Sequence, residues 1–304
     1  VNFLILSDLH LDIEHAGNAF NAYEIILRYL KDFKEKEKSW RVDAILIVGD
    51  LVDKNKSGSY HLLQNLLQAL IDMFELQPDK ILFTPGNHDC DISKLSLAFP
   101  FLHAALGDDS IIKNAYSDSN IVNNIYTASG KELNEEALKL LQKFESGYFA
   151  QWIQFTKKEK YKNPVFSYER KDLSEGLNFN TFYHTNIYGV EVASVNTSFF
   201  CNFAAPSNDR NHLFLLNDLI RNFKQCVTSH VQSTDKDLHR PVITMMHHPF
   251  YYLHESEHIY PIKFSAQDTE RAMINSYIEV AQFSDIILNG HTHGHLHAPT
   301  RYID

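Results

Sequence analysis

The sequence predicts an α/β fold built on a parallel sheet with crossover helices. Short apolar runs recur at Asn2 to Ser7, Ala44 to Val48 and Lys80 to Thr84, amphipathic patterns separate them, and each run ends in turn-forming residues. The central run lies within D-A-I-L-I-V-G-D-L-V-D, Asp43 to Asp53. It is too short to cross a membrane and rich in β-branched residues, which marks a strand buried on both faces. Asp50 stands just past its end, after Gly49, where open α/β sheets place their chemistry. Taken alone, Asp50 reads more readily as a turn or cap residue.

In chain order, Asn2 to Ser7 leads into D-L-H-L-D, where Asp8, His10 and Asp12 alternate and can face one side of an extended segment. One carboxylate and one imidazole then reach a single ion. Residues 18–38 carry Phe20, Tyr23, Ile26, Leu27, Leu30 and Phe33 at helical spacing and end in a charged, solvated run. A second amphipathic helix is expected over 59–76, before the third strand and its T-P-G-N-H-D-C ending. From about residue 92 to 185 the periodicity loosens into helical stretches, clearest over 132–157, and reads as an insertion packed over one edge of the core. Its aromatics, Trp152 and Phe155 among them, read as core rather than as a base-stacking surface. Ile187 to Val195 is expected as one strand ending in N-T-S. A helix over 211–226, a strand from Pro241 to Met246 ending in H-H-P, a helix over 266–281 and a strand from Asp285 to Leu288 ending in N-G-H-T-H-G follow.

Bulk properties narrow the function. A formal net charge of −10 over 304 residues argues against a protein that coats nucleic acid or anionic membrane with its whole surface, while allowing a local positive site created by bound metal. Three widely spaced cysteines, Cys90, Cys201 and Cys226, suggest reduced thiols in a cytoplasmic protein rather than a disulfide framework. No apolar run is long enough to span a bilayer, and Asp8 interrupts the opening before a signal-peptide pattern develops. The chain opens on Val1 rather than Met, which reads as processing or as a domain excised from something longer.

Every expected core strand except Ile187 to Val195 ends in potential metal ligands: Asp8 with His10, Asp50, Asn87 with His88, His247 with His248, and His291 with His293. Each has a plain reading as a turn or polar surface residue. Five successive strand ends are hard to ascribe to coincidence. His247 and His248 are neighbours on one strand end, so alternation sends them to opposite faces and only one should serve the site.

The set D8-L-H10, G49-D50-L-V-D53, G86-N87-H88-D89, M-H247-H-P and G290-H291-T-H293 resembles the motif series of the calcineurin-like metallophosphoesterase superfamily, in order and across nearly the whole chain. The paired His blocks and G-N-H-D look most like its class III nucleotide phosphodiesterase branch. The Ser/Thr protein phosphatase branch fits less well, because Asp89 and Cys90 replace the usual Glu and basic residue. The resemblance implies a four-layer αββα sandwich of two mixed sheets, with the helical insertion, in a single domain over 1–304. It also implies two divalent metal ions, Mn first with Fe, Zn or Mg as alternatives. Asp8, His10 and His293 would hold one, Asn87, His247 and His291 the other, and Asp50 would bridge them. A water or hydroxide shared by the metals would attack phosphorus in line, and His88 would stabilise the transition state or protonate the leaving oxygen. Asp53 and Asp89 are candidates for orienting imidazoles. The family register selects His247 over His248, which either faces substrate or is simply packed.

A small phosphate ester, a nucleotide among the candidates, is the implied substrate. A nuclease is the alternative, unsupported by charge or by any dense Lys/Arg stripe, and a non-catalytic scaffold is a third reading that the intact ligand set opposes. No membrane partner is expected, and further domains of a longer chain would be partners. The family core usually continues past G-H-x-H, whereas eleven residues follow His293 here.

Overall fold

The computed structural model describes residues 1–12, 22–53, 57–90, 182–198, 240–253 and 276–292, with Trp152, 154–155, 168–169, 178–179 and Leu213. Strands β1 (Phe3–Leu6), β2 (Ala44–Val48) and β3 (Ile81–Thr84) form a wholly parallel sheet in that order, linked by helices α1 (Ala22–Lys36) and α2 (Ser57–Phe74). All five side chains of β2 are buried. Alternation explains why: Ile45 and Ile47 join a core with Leu30 of α1 and Leu63, Leu66 and Leu70 of α2, whereas Ala44, Leu46 and Val48 belong to a second core. That second core also takes Leu82, Ile187, Val192, Ile243 and Met245, so the first sheet packs on another sheet. Cores on both faces are what the uninterrupted apolar run requires.

A two-residue ribbon, β4 (Tyr168–Glu169) with β5 (Asn178–Phe179), precedes the second sheet. That sheet runs β6 (Phe182–Ile187), β7 (Val190–Val195), β8 (Val242–Met246), β9 (Ile286–Leu288). β6 and β7 are antiparallel and the remaining pairs parallel. The fold is therefore mixed α/β with two main sheets. The expected strand Ile187 to Val195 is two strands, broken by a hairpin at Tyr188 (φ 48°) and Gly189 (φ 90°). Positive φ at both central residues matches the twist of the flanking strands, and Tyr-Gly lacks the Asn-Gly or Asp-Gly signature that would have flagged it.

Three hydroxyls seam the sheets. Ser194 Oγ donates to the Phe83 carbonyl at 3.0 Å, Thr84 Oγ1 to Val195 at 3.2 Å, and Ser198 Oγ to Pro85 at 3.0 Å. The carboxyl ends of β3 and β7 are thereby fixed side by side. Of the helix expected over 266–281, the described part is α3 (Ser276–Gln282), whose Val280 is buried. The helix over 211–226 lies outside the described residues apart from Leu213, which bridges to Leu253. Most of the insertion also lies outside them. Its Trp152 and Phe155 are core residues as expected, their rings 6.1 and 6.3 Å from Phe83. No described helix is long and apolar enough to cross a membrane.

Candidate metal centre

Loops leaving the carboxyl ends of β1, β2, β3, β8 and β9 meet at one place. The β1 and β2 loops stay paired beyond their strands: Asp8 N donates to Gly49 O, and His10 N to Asp50 O at 2.9 Å. They do not remain extended. Asp8 (φ 54°), His10 (43°), Asp50 (52°) and His291 (74°) are all left-handed, four of the six such non-glycine residues among those described. A left-handed non-glycine residue costs of order 1–2 kcal/mol, so strain is concentrated where these side chains meet. Asp8 and His10 thus converge through backbone kinks rather than through the pleat that alternation invoked.

Asp50, 1% exposed, is the hub. Its Oδ2 lies 3.2 Å from His247 Nε2 and 3.6 Å from His10 Nε2, while Oδ1 accepts the His88 backbone N–H at 2.8 Å. Asn87 Oδ1 lies 3.2 Å from His247 Nε2 and 2.9 Å from His291 Nδ1, and these two ring nitrogens are 3.3 Å apart. On the other side, ligand atoms of Asp8, His10 and Asp50 fall within 4.8 Å of one another. Asp8 Oδ1 also accepts the His291 backbone N–H at 2.8 Å, which ties the first loop to the last. Six sequence-predicted residues, Asp8, His10, Asp50, Asn87, His247 and His291, are therefore brought together. His293 lies outside the described residues.

The donor chemistry of this cluster fits divalent cations. His247 Nδ1 stands 3.0 Å from the Val48 carbonyl, an arrangement in which Nδ1 donates and Nε2 presents its lone pair. Nε2 then faces Asn87 Oδ1, Asp50 Oδ2 and His291 Nδ1, so electron pairs are aimed at one point with protons or a cation needed between them. The pKa directions say the same. Burial alone would raise the Asp50 carboxyl, but the charge of His247, then His88, pulls it below the usual carboxylate range. Burial opposes a charge on His247, yet Asp50 lifts its imidazole above the ordinary value. Both shifts favour opposite charges at this point, the electrostatic condition a cation among these ligands would also meet.

His88 turns aside from this cluster and sets Nδ1 3.0 Å from Asp53 Oδ1, the geometry of a carboxylate orienting an imidazole. Its ring meets His10 edge-on at 4.6 Å. The ligand atoms of His10, Asp53 and His88 form a further group within 4.8 Å. Asp89 behaves differently from the expectation that it could orient an imidazole. Its oxygens accept the amides of Leu51 (2.9 Å), Val52 (3.2 Å) and Gly86 (2.8 Å). It sits in a tight 3-10 turn, Asn87–Asp89, with its side chain folded back on the β2 and β3 loops. Burial, then the charge of Asp50, pushes its carboxyl up to about 7.

His248 also departs from the alternation argument. β8 ends at Met246, so the two histidines follow a bend instead of a pleat, and both rings stand against His291, with centroids 5.1 Å away for His247 and 4.4 Å for His248. Thr197, in the N-T-S that ends the one strand without obvious ligands, bonds His248 and escaped the sequence reading. Tyr252, in the aromatic stretch after H-H-P, sets its ring edge-on to His291 at 4.5 Å.

Gly49 (φ 77°) lets His247 approach, because a Cβ there would fall on the His247 imidazole. Gly86 does the same for Asp50, whose carboxylate and amide fill the space a side chain would need. Gly49→Ala adds left-handed strain to a steric clash. We expect it to lower stability by about 2 kcal/mol or more and to reduce bound metal, read by denaturant midpoint and elemental analysis. An unchanged metal content would mean that His247 is not held through Gly49.

No curated protein matches the chain. Among solved structures, one that matches is a Staphylococcus aureus protein assigned as a 5′-nucleotidase and crystallised with alpha-ketoglutarate. It is 12% identical, with a TM-score of 0.38, over 96% of this chain and 45% of that one. The chain thus spans less than half the length of that protein. The family comparison is more direct: the model for calcineurin-like phosphoesterase matches residues 1–295, every strand end described above included. Members of this family usually bind divalent metals, and this chain belongs to the calcineurin-like phosphoesterase family.

Proposed function

We propose that the chain is a dinuclear metal-dependent phosphoesterase that hydrolyses a small phosphodiester, or a phosphomonoester, by in-line attack of hydroxide on phosphorus. The observation that carries this reading is the convergence of Asp50, Asn87, His247 and His291 at 2.9–3.3 Å around one point, beside the Asp8, His10 and Asp50 group. On this reading Asp8, His10 and His293 would hold one cation, Asn87, His247 and His291 the other, and Asp50 would lie between them as a ligand to both. The proposed architecture is a four-layer αββα sandwich forming one domain over 1–304, with an insertion at about 92–185.

When bound, two divalent cations supply Lewis acidity and lower the pKa of water to about 7. With two carboxylates against two divalent ions, the centre keeps excess positive charge and draws phosphate to an otherwise acidic protein. The chain's own residues do the rest. Asp50, its Oδ1 held by the His88 amide, would offer its carboxylate to both cations. His88, steadied by Asp53, donates to a phosphoryl oxygen or to the leaving oxygen. Mn is the first choice of metal, with Fe, Zn and Mg as alternatives. A nucleotide is the first substrate to try.

The test is release of p-nitrophenol from bis-p-nitrophenyl phosphate and from p-nitrophenyl phosphate, with and without added Mn²⁺, beside single-stranded and duplex oligonucleotides. We expect Mn²⁺-dependent turnover of the bis-ester, with the mono-ester slower. Cleavage of oligonucleotides alone would replace this reading with a nuclease. Absence of turnover in every arm, with two metals bound per chain, would overturn it.

A further inference from the structure

His248 is the buried imidazole that the proposed ligand set leaves without a task. It is fully enclosed, and its two ring nitrogens differ in their surroundings. Nδ1 lies 2.9 Å from the Thr197 hydroxyl oxygen. The same oxygen accepts the His248 backbone N–H at 3.0 Å. Nε2 is enclosed and has no hydrogen-bond partner among the described residues.

The hydrogen-bond network assigns the tautomer. Thr197 is itself fully buried, and Nδ1 of His248 is the acceptor its hydroxyl hydrogen meets. Were Nδ1 protonated, the hydroxyl oxygen would accept twice, its hydrogen would be left without an acceptor, and the Nε2 lone pair would be unmatched as well. With the Thr197 hydroxyl donating to Nδ1, only one group remains unsatisfied, the N–H on Nε2. His248 is then a neutral imidazole whose lone pair is already used. In this tautomer Nε2 offers a hydrogen rather than a lone pair.

Its position gives that N–H a purpose. The ring lies 4.4 Å from His291 and 4.8 Å from His247 between centroids, and one of its nitrogens falls within 4.8 Å of ring nitrogens of both. An enclosed donor beside the proposed metal ligands would be satisfied by an anionic oxygen brought there with the cations. A neutral donor suits the place, because an imidazolium would repel the two metals.

Resting on the phosphoesterase reading, we propose that Nε2–H of His248 is a donor to a phosphoryl oxygen of the substrate, held in that tautomer by the Thr197 hydroxyl. His248 would then contribute to binding and turnover without being a metal ligand, and Thr197 would be a positioning residue.

The test reads the imidazole directly as well as through activity. In the metal-free chain carrying ¹⁵N-labelled histidine, long-range ¹H–¹⁵N spectra should show His248 protonated on Nε2, and Thr197→Val should abolish that preference. In the Zn²⁺-loaded chain, inorganic phosphate should shift the His248 Nε2–H resonance. His248→Ala should keep the wild-type metal content while phosphate affinity and kcat/KM for the bis-ester fall by about 10- to 100-fold, and His248→Gln, whose amide N–H reaches a similar point, should recover part of the loss. Loss of a metal ion from His248→Ala, an Nδ1-protonated ring, or a resonance that phosphate does not move would each overturn the proposal. If phosphate moves the resonance but the wild-type chain hydrolyses no ester, the donor stands and the phosphoesterase reading fails.

Discussion

Asp50→Asn is expected to lower metal-dependent turnover by about 10³-fold or more while leaving the fold intact, the difference corresponding to about 4 kcal/mol of transition-state stabilisation. The substitution keeps size and shape, and Asn accepts the left-handed backbone (φ 52°) almost as readily as Asp. Its Oδ1 can still accept the His88 amide that Asp50 takes at 2.8 Å. What is lost is the second anionic oxygen, 3.2 Å from His247 Nε2 and 3.6 Å from His10 Nε2, replaced by an amide nitrogen with no lone pair to offer. Two changes offset one another in the metal-free chain. His247 loses the carboxylate that raises its pKa, while Asp89 keeps the burial that pushes its carboxyl up but loses the added push of the Asp50 charge. Metal content should drop below two ions per chain, and the denaturant midpoint without metal should stay near wild type. Full activity in this variant would sink the assignment of Asp50 as the bridge.

The residues that make this prediction specific were legible because their strands were. β2 announces itself as five apolar residues before Gly49-Asp50, and two buried faces leave such a run few other places to go. The ends of β1, β3, β8 and β9 were found by the same reasoning, and the structure gathers Asp8, His10, Asn87, His247 and His291 around Asp50 as the motif order suggested. The failures share a cause, which is reading a pleat into segments that are not extended. Alternation cannot predict that His247 and His248 both turn to His291, because the chain bends after Met246. Nor can it foresee the Tyr188-Gly189 hairpin, where a tyrosine occupies a left-handed position that sequence statistics reserve for Asn, Asp or Gly. Thr197 was invisible for a different reason. Its task depends on a partner 51 residues away, and a threonine in N-T-S carries no local signal of it. Asp89 accepts backbone amides, partners set by a turn geometry the motif does not spell out.

His88→Ala is expected to retain both metals and lose about 10²- to 10⁴-fold in kcat, with KM changed much less. Retention follows from the backbone: the His88 contact to Asp50 is made by its amide, which alanine keeps. The loss follows from the side chain, whose Nδ1 is anchored to Asp53 at 3.0 Å with the opposite edge of the ring left to act. Removing the anchor alone, as Asp53→Asn, should cost about tenfold, because the imidazole remains but its tautomer and direction are less fixed. The leaving group separates the two proposed tasks. If His88 protonates the leaving oxygen, an alkyl or nucleoside ester should suffer far more than the bis-p-nitrophenyl ester, whose leaving group departs unaided. If it stabilises charge on the non-bridging oxygens, both should fall by a similar factor. The group formed by His10, Asp53 and His88 provides the competing outcome, in which His88 itself holds a cation and His88→Ala loses one metal ion per chain. Elemental analysis of the variant decides between them, and wild-type kcat in His88→Ala would reduce His88 to a structural residue.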